Sequence, residues 1–465
     1  MEKYIDIEII GKGGNGVVWK TQNSKKIFFA KKTIKHYRKT VPYQRFCDEI
    51  EVIRKFPNPG IIQIVDYHIP SSKTAKETPY YIMPLAIPLK DDIKKLTIEE
   101  TFDRIAIIID TVEFLHDNDI THRDIKIENI LIIDNYPKLS DFGLANFPKQ
   151  NRLSRLNEKI GPAFTIAPEM RRISSAAEYK KADVYSLAKT IWVILTKNWT
   201  SFDGQYNSHS SINLRNYIDL KINEMVTLGE TYFFSLVILE KLLFDSTHND
   251  PDKRPTIKDF KDRFNFWVQS NSDYTLRNGI EWEDAIRQIF PVSIPENCAW
   301  TDIYEIENIL KILFINYDSL NHTFFPHSGG LDFTAIEVIE INNKKYLLVN
   351  NEYFFEPEKL YFESMNNFAW SYFRLEIKAN KPFFGSQTYD SEELVYLDSN
   401  MNIFEKDISY YKSYSFCYEK SFLITQKMAR INALSGKLDH YDGLHSKMTN
   451  PEYRELLKKI IAKYP

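Results

Sequence analysis

The chain has 465 residues, 43% hydrophobic and 26% charged, with a formal net charge of −3. That length exceeds one ordinary domain, so two or three are expected. The near-balanced charge gives no electrostatic footprint for nucleic acid or an anionic membrane, and neither is expected as a partner.

The three cysteines, Cys47, Cys298 and Cys417, lie far apart. They do not make a disulfide framework, and a reducing compartment is expected. The ten histidines are scattered, and neither His nor Cys clusters at zinc-ligand spacing. The first ten residues are charged at once and lack the apolar core of a signal peptide. The longest apolar runs, such as Ile105 to Ile109 and Phe233 to Leu239, fall far short of the roughly 20 residues a membrane span needs. A cytoplasmic location is expected.

In chain order, Ile5 to Ile10, Gly16 to Thr21 and Lys26 to Thr33 are short β-type runs separated by turn residues. Tyr43 to Phe56 reads as a helix with Phe46, Ile50 and Ile53 on one face. Ile61 to Ile69 and Pro79 to Pro84 read as two more strands. From about Thr97 the pattern is helical: Ile98 to His116, Lys181 to Thr196, Ser235 to Asp245 and Thr256 to Val268. The polar stretch Gln269 to Asp273 reads as a linker. Beyond it the chain is aromatic. Ile336 to Ile341 and Lys345 to Val349 flank an Asn342-Asn343 turn and predict a hairpin. Leu375 to Ala379 and Leu394 to Leu397 predict further strands. Lys420 to Leu434 and Pro451 to Tyr464 predict helices. The expected organisation is residues 1–268 as one domain and 274–465 as an α+β accessory domain.

The most informative stretch is 122 to 144, HRDIKIENILIIDNYPKLSDFGL. Arg123 stands beside Asp124, Asn129 follows five positions later, and Asp141 heads an Asp-Phe-Gly 17 residues after Asp124. Phosphoryl transfer from a Mg-nucleotide needs such groups: one carboxylate to orient the attacking hydroxyl, and a second carboxylate plus an amide to hold the metal. Either motif alone is a chance match, whereas both in this order and spacing are not. On these residues the chain resembles the eukaryotic-type protein kinases.

That resemblance covers about residues 1 to 268. It implies an α+β bilobal fold, with a small β-rich lobe and a large helical lobe. It also implies ATP and Mg²⁺ as cofactors and protein substrates as partners. Gly11-Lys12-Gly13-Gly14-Asn15-Gly16-Val17-Val18 fits the glycine-rich loop over the nucleotide phosphates, where a Cβ would keep the backbone away. Asn15 departs from the pattern, since many kinases place an aromatic at that tip. In Phe29-Ala30-Lys31-Lys32, Lys32 takes the register of the phosphate-binding lysine two residues after Ala30. Lys31 points to the opposite face by strand alternation and stays as the alternative. Glu49 matches the helix glutamate that pairs with this lysine. Glu51, two positions on, faces another side. Met83 corresponds to the wall of the deep pocket, and the backbone of Pro84 and Ala86 to the adenine edge.

By the same correspondence Asp124 is the hydroxyl-orienting base and Lys126 neutralises the transferring group. Asn129 and Asp141 are the metal ligands, consistent with the oxygen preference of hard cations. His122 and Phe142 are expected in the core. Glu169 of Ala167-Pro168-Glu169 is expected to pair with Arg254, and Asp183 to anchor the catalytic loop. Lys126 two residues after Asp124 implies serine/threonine specificity. One departure is Gly161-Pro162, where most serine/threonine kinases have Gly-Thr; Thr165 is the candidate substitute for the missing hydroxyl. Arg123 before Asp124 implies a switch by phosphate on the activation segment, with Ser154 as the candidate autophosphorylation site. The rival readings are a pseudokinase scaffold, a small-molecule kinase, and a sensor whose main role lies in the C-terminal half.

Overall fold

The structure is a computed structural model. It describes residues 3–13, 16–70, 77–148, 164–171, 178–208, 210–217, 235–272, 274–314, 322–324, 333, 335–341, 343–350, 353–365 and 370–377, with short pieces at 396–397, 403–404, 421–425, 431–432 and 437–438. The chain divides into two compact units, Met1–Leu220 with Ile238–Gln269, and Lys221–Val237 with Ser270–Pro465.

The first unit begins with β1 (Ile5–Lys12), β2 (Gly16–Gln22) and β3 (Phe28–Ile34), followed by α1 (Thr40–Lys55), β4 (Asp66–His68) and β5 (Tyr80–Pro84). These strands form one five-stranded sheet in the order β1-β2-β3-β5-β4, antiparallel throughout. β3 starts two residues later than predicted because the preceding residues make a tight turn. Asn23 Oδ1 accepts from the backbone N–H groups of Lys25 and Ile27, and Lys26 sits at φ +62°. α1 carries Pro42 in its first turn, where a missing N–H costs nothing. It buries Phe46, Glu49, Ile50 and Ile53 on one face.

The predicted strand 61–69 shrinks to β4. The large-lobe hairpin takes its first residues, through β7 (Ile130–Ile133) and β8 (Tyr136–Leu139), joined at the edge by β6 (Ile87–Pro88). Leu139 N–H donates to Gly60 O at 2.7 Å, Ile62 N–H donates to Leu139 O at 3.1 Å, and Lys138 Nζ donates to Pro59 O at 2.6 Å. Gly60 also meets the large lobe's second helix so closely that a Cβ there would lie 1.7 Å from Thr111 Oγ1.

That lobe is helical: α2 (Leu89–Asp92), α3 (Ile98–Asp117), α4 (Pro168–Arg171), α5 (Tyr179–Thr196), α6 (Val237–Ser246) and α7 (Ile257–Ser272). α3 starts where Thr97 and Glu100 satisfy each other's backbone N–H groups in a capping box. Its apolar stripe, from Phe102 through Ile105, Ile109 and Val112 to Leu115, is buried. α5 is buried on nearly every side from Ala182 onward, which makes it the central helix of this lobe. Of the stretch predicted as a linker, residues 269–272 are helical instead, and Asp273 lies outside the described residues. α7 continues to Ser272 because Ser270 and Asn271 are buried, with Asn271 Oδ1 accepting the Ser235 N–H at 2.7 Å.

The second unit holds α8 (Tyr274–Ile289), β9 (Asn297–Trp300), α9 (Ile303–Phe314), β10 (His322–Phe324), β11 (Ile336–Ile341), β12 (Lys344–Val349), β13 (Tyr353–Phe355), β14 (Pro357–Met365), β15 (Trp370–Ile377), β16 (Tyr396–Leu397), β17 (Ile403–Phe404) and β18 (Ser421–Thr425). The predicted hairpin is present as β11 and β12, with Ile341 opposite Lys344 and Asn343 at φ +63°. A second five-stranded sheet runs β10-β18-β15-β14-β9. Its core joins Trp282 and Ile286 of α8 and Leu310 of α9 to Phe362, Phe373 and Ile424. The helix predicted for 420–434 is corrected: its described residues are strands, β18 and a short Ile431–Asn432 pairing with Lys437–Leu438. β18 pairs with β10 and β15, so the ladder overrides local helix propensity. Pro451 to Tyr464 lies outside the described residues.

Candidate active site

Strand pairing does the first part of the assembly. Val18 stands opposite Lys32 across β2 and β3, and Ala30 and Lys32 stand opposite Met83 and Tyr81 across β3 and β5. Directly paired residues share a face of a sheet, so Val18, Lys32 and Tyr81 lie on one side. Lys31 faces away and pairs with Asp6 at 3.0 Å. Lys32 Nζ donates to Glu49 Oε1 at 2.8 Å, to Glu49 Oε2 at 3.0 Å and to Asp141 Oδ1 at 3.1 Å. Glu51, by contrast, is exposed.

The glycine-rich loop crosses the open end of this sheet. Gly13 N–H donates to Gly16 O at 3.0 Å, and Lys35 Nζ donates to Gly13 O at 2.6 Å. Gly16 cannot be replaced without movement, since a Cβ there would come 2.6 Å from Thr33 O. Gly11 packs on Val18, and Lys12 is exposed. Gly14 and Asn15 lie outside the described residues. Met83 is buried at the far end of β5, with Pro84 and Ala86 half-buried where the chain leaves the strand.

The second half comes from the loop before β7 and the turn after β8. Lys126 Nζ donates to Asp124 Oδ2 at 2.8 Å and to Oδ1 at 3.1 Å. Asn129 Nδ2 donates to Asp124 Oδ2 at 2.9 Å and to Asp124 O at 2.8 Å. With the amide nitrogen spent inward, the oxygen of Asn129 is its outward atom. Asp141 sits at φ +63°, and its side chain is 45% exposed. An amide oxygen and an exposed carboxylate make a hard donor pair that fits a magnesium ion held chiefly by its waters and by substrate phosphates. Among the described residues no group of three or more His, Cys, Asp or Glu side chains forms a further candidate metal site.

Charge follows burial and neighbours. Burial works against a charged Lys32, yet Glu49, Tyr81 and Asp141 hold it well above the usual lysine range. Burial raises Glu49, against the pull of Lys32. Burial likewise raises Asp124, against Lys126 and Asn129. Lys32 lowers Asp141, with burial opposing. Burial thus lifts the two enclosed carboxylates against their lysine partners, and Lys32 lowers the more exposed one.

The supporting frame is bonded as well. Asp183 on α5 accepts the backbone N–H groups of His122 and Arg123, each at 2.7 Å. His122 Nε2 bonds to Ser140 O at 3.0 Å, and its ring meets the fully buried Phe142 edge-on at 4.7 Å. Arg254 grips Glu169 with its two terminal guanidinium nitrogens at 2.6 and 2.9 Å. Thr165 makes no bond to Asp124 or Lys126; among the described residues its buried Oγ1 has no partner. Gly161, Pro162 and Ser154 lie outside the described residues. Two contributors escaped the sequence reading. Ser140 ties the turn to Asn129 by donating both its N–H and its hydroxyl to Asn129 O. Tyr81 donates its hydroxyl to Glu49 Oε1 at 3.0 Å; with Tyr80 beside it in the same strand, the sequence held no signal that singled it out.

The sequence profile described as "Protein kinase domain" matches residues 4–264. The Acanthamoeba polyphaga mimivirus protein R436, named a serine/threonine-protein kinase, is 29% identical over 217 residues, 45% of this chain and 74% of its own length. The Dictyostelium discoideum protein roco5, also named a serine/threonine-protein kinase, is 28% identical over 283 residues, 56% of this chain and 10% of its own. Mouse serine/threonine-protein kinase PAK 1 is 28% identical over 196 residues, 40% of this chain and 34% of its own. The chain thus spans only a minor part of the latter two.

Proposed function

Because this chain belongs to the protein kinase family, we propose that it is an active serine/threonine kinase that transfers the γ-phosphoryl group of Mg·ATP to protein hydroxyls. One observation carries the reading: Lys32 is bonded to both Glu49 and Asp141, while Asp124, Lys126 and Asn129 are bonded to one another. Asn129 and Asp141 would hold the metal of the nucleotide, which when bound neutralises charge on the transferred group. Lys32, fixed by Glu49, points a permanent positive charge at the phosphates beneath the glycine-rich loop. Asp124 orients the acceptor hydroxyl and receives its proton as the new P–O bond forms and the bond to the leaving β-phosphate oxygen breaks. Lys126 sits against Asp124, where it can neutralise the transferring group. The serine/threonine assignment draws on Lys126 and on the names of the relatives. Residues 1–268 are the catalytic domain in this reading, and 274–465 an accessory α+β domain.

Transfer of labelled phosphate from ATP to a generic acceptor protein tests it. Asp124→Ala should lower transfer by about 10²–10⁴-fold, and Asp141→Ala, which removes a proposed metal ligand, at least as far, both with the fold intact. An inactive parent chain that still binds the nucleotide would establish the pseudokinase reading instead.

The same reading extends to regulation. The Arg123 guanidinium lies 4.5 Å over the Tyr179 ring, and its Nε has no hydrogen-bond partner among the described residues. Burial lowers its pKa against the pull of Tyr179 and Asp183, and Arg45 adds a smaller like-charge repulsion. Phosphorylated Ser154, carrying about −1.5 to −2 charge, would give the unpartnered Arg123 Nε an acceptor. Autophosphorylation of Ser154 in trans should raise activity. Mass spectrometry of active enzyme that found Ser154 unmodified would rule this out.

A further inference from the structure

We propose that Tyr81 is a positioning residue, whose hydroxyl holds Glu49 of α1 in place beside Lys32, on the same carboxylate oxygen. The proposal rests on the kinase reading and deepens it. The register of β3 and β5 sets Tyr81 directly opposite Lys32. Tyr81 is 1% exposed. Its ring stacks on Phe46 with centroids 5.6 Å apart and planes 25° from parallel, and its hydroxyl donates to Glu49 Oε1. Phe46 and Glu49 are three residues apart, hence on one helix face. A single side chain therefore grips α1 at two points.

The ring alone would supply the apolar contact. A hydroxyl in such a pocket is costly unless it is bonded, and here its acceptor is the carboxylate that Lys32 also uses. Glu49 Oε1 thus receives two donors, one from β3 and one from β5. When Lys32 is drawn toward a phosphate, Glu49 keeps the second donor, and α1 stays docked.

Lys32 on β3, Tyr81 on β5 and Asp141 after β8 act on Glu49 from the elements packed against it, and Arg45 of α1 lines the same pocket. Lys32 and the Tyr81 hydroxyl favour its ionised form; Asp141 and burial disfavour it. Removing the hydroxyl therefore makes Glu49 take up its proton at higher pH. A residue that only filled space would leave that titration where it is.

The test compares the full chain with its Tyr81→Phe and Tyr81→Leu variants. Two quantities are read: kcat/KM for Mg·ATP against pH, and hydrogen exchange of the Ile50–Lys55 amides without nucleotide. Loss of a hydrogen bond to a charged group should cost the Phe variant about ten-fold in kcat/KM. Its acid limb should move to higher pH, and its α1 amides should exchange several-fold faster. The Leu variant should fall further. In a Glu49→Gln background, Tyr81→Phe should no longer move the acid limb. A Phe variant that matches the parent in both limb and exchange, with only Leu impaired, overturns the proposal. A parent without kinase activity would sink the catalytic reading, and the exchange measurement would still decide the role of Tyr81.

Discussion

Each of the two five-stranded sheets carries a basic side chain, a glutamate and a tyrosine bonded in one group. In the first unit the group is Lys32, Glu49 and Tyr81, with Asp141 attached. In the second it is Arg374, Glu363 and Tyr372, with Glu376 attached and the Tyr361 ring 4.1 Å from the guanidinium. The chemistry is nearly the same and the construction is opposite. The second group comes from two neighbouring strands, β14 and β15, whose ladder already pairs Glu363 with Tyr372 and Tyr361 with Arg374. Its members cannot part without unzipping the sheet, and the Glu363 side chain is only 9% exposed. The first group spans four elements separated by up to 109 positions in sequence. Side chains alone join α1 and the Asp141 turn to the sheet there, and Asp141 opens to the cleft. A bonded group inside one ladder stabilises; a bonded group between elements can be made, broken and used.

The sharpest way to break that contrast is to remove the base from each group. Lys32→Met should lower phosphoryl transfer by about 10²–10³-fold, the scale of losing one preorganised charge-stabilising donor. Lys31→Met should be far milder, because Lys31 serves an exposed pair with Asp6. Paired kinase assays decide it, and a sensitive Lys31 would reverse the assignment. Arg374→Met should do the converse, removing about 3–5 kcal/mol of stability by stranding a buried carboxylate while leaving transfer by the first unit in place. Denaturant unfolding followed alongside activity checks both halves.

A smaller effect sharpens the comparison through pH. Lys32 lowers Asp141 below the ordinary carboxylate range. Its contribution to stability is therefore complete above its unfolded value of about 3.9 and is lost as pH falls through the folded value. The parent chain should lose melting temperature in that acid window, and Asp141→Asn should lose less. Equal slopes would mean that the Lys32 contact contributes little to the fold.

Much of the first unit was legible because its signals are local. The spacing of Asp124, Asn129 and Asp141 is fixed by one hairpin, so the sequence carries it directly. Strand alternation put Lys31 and Lys32 on opposite faces, and the register after Ala30 favoured Lys32, but only the bonds to Glu49 and to Asp6 assign each lysine its side. Tyr81 was not legible as a partner of Glu49, because nothing within a strand says which distant helix its hydroxyl will meet. The stretch 420–434 misled for a related reason. Phe422, Leu423 and Ile424 are consecutive apolar residues without turn signals, and only pairing with β10 and β15 makes them strand. The polar run at 269–272 looked like a linker until the Ser235 N–H claimed Asn271. In each case a partner remote in sequence decided the outcome.

The clasp at Gly60 has a mechanical meaning. Pro59, Gly60 and Ile62 are bonded to β8, and Gly60 is pressed against Thr111 with no room for a side chain. The loop between α1 and β4 is therefore an axle seated in the large lobe. A clasp seated at that one place is expected to restrain sliding of the small lobe more than rotation about it. Any such rotation would change the Lys32–Asp141 distance, which the structure holds at 3.1 Å.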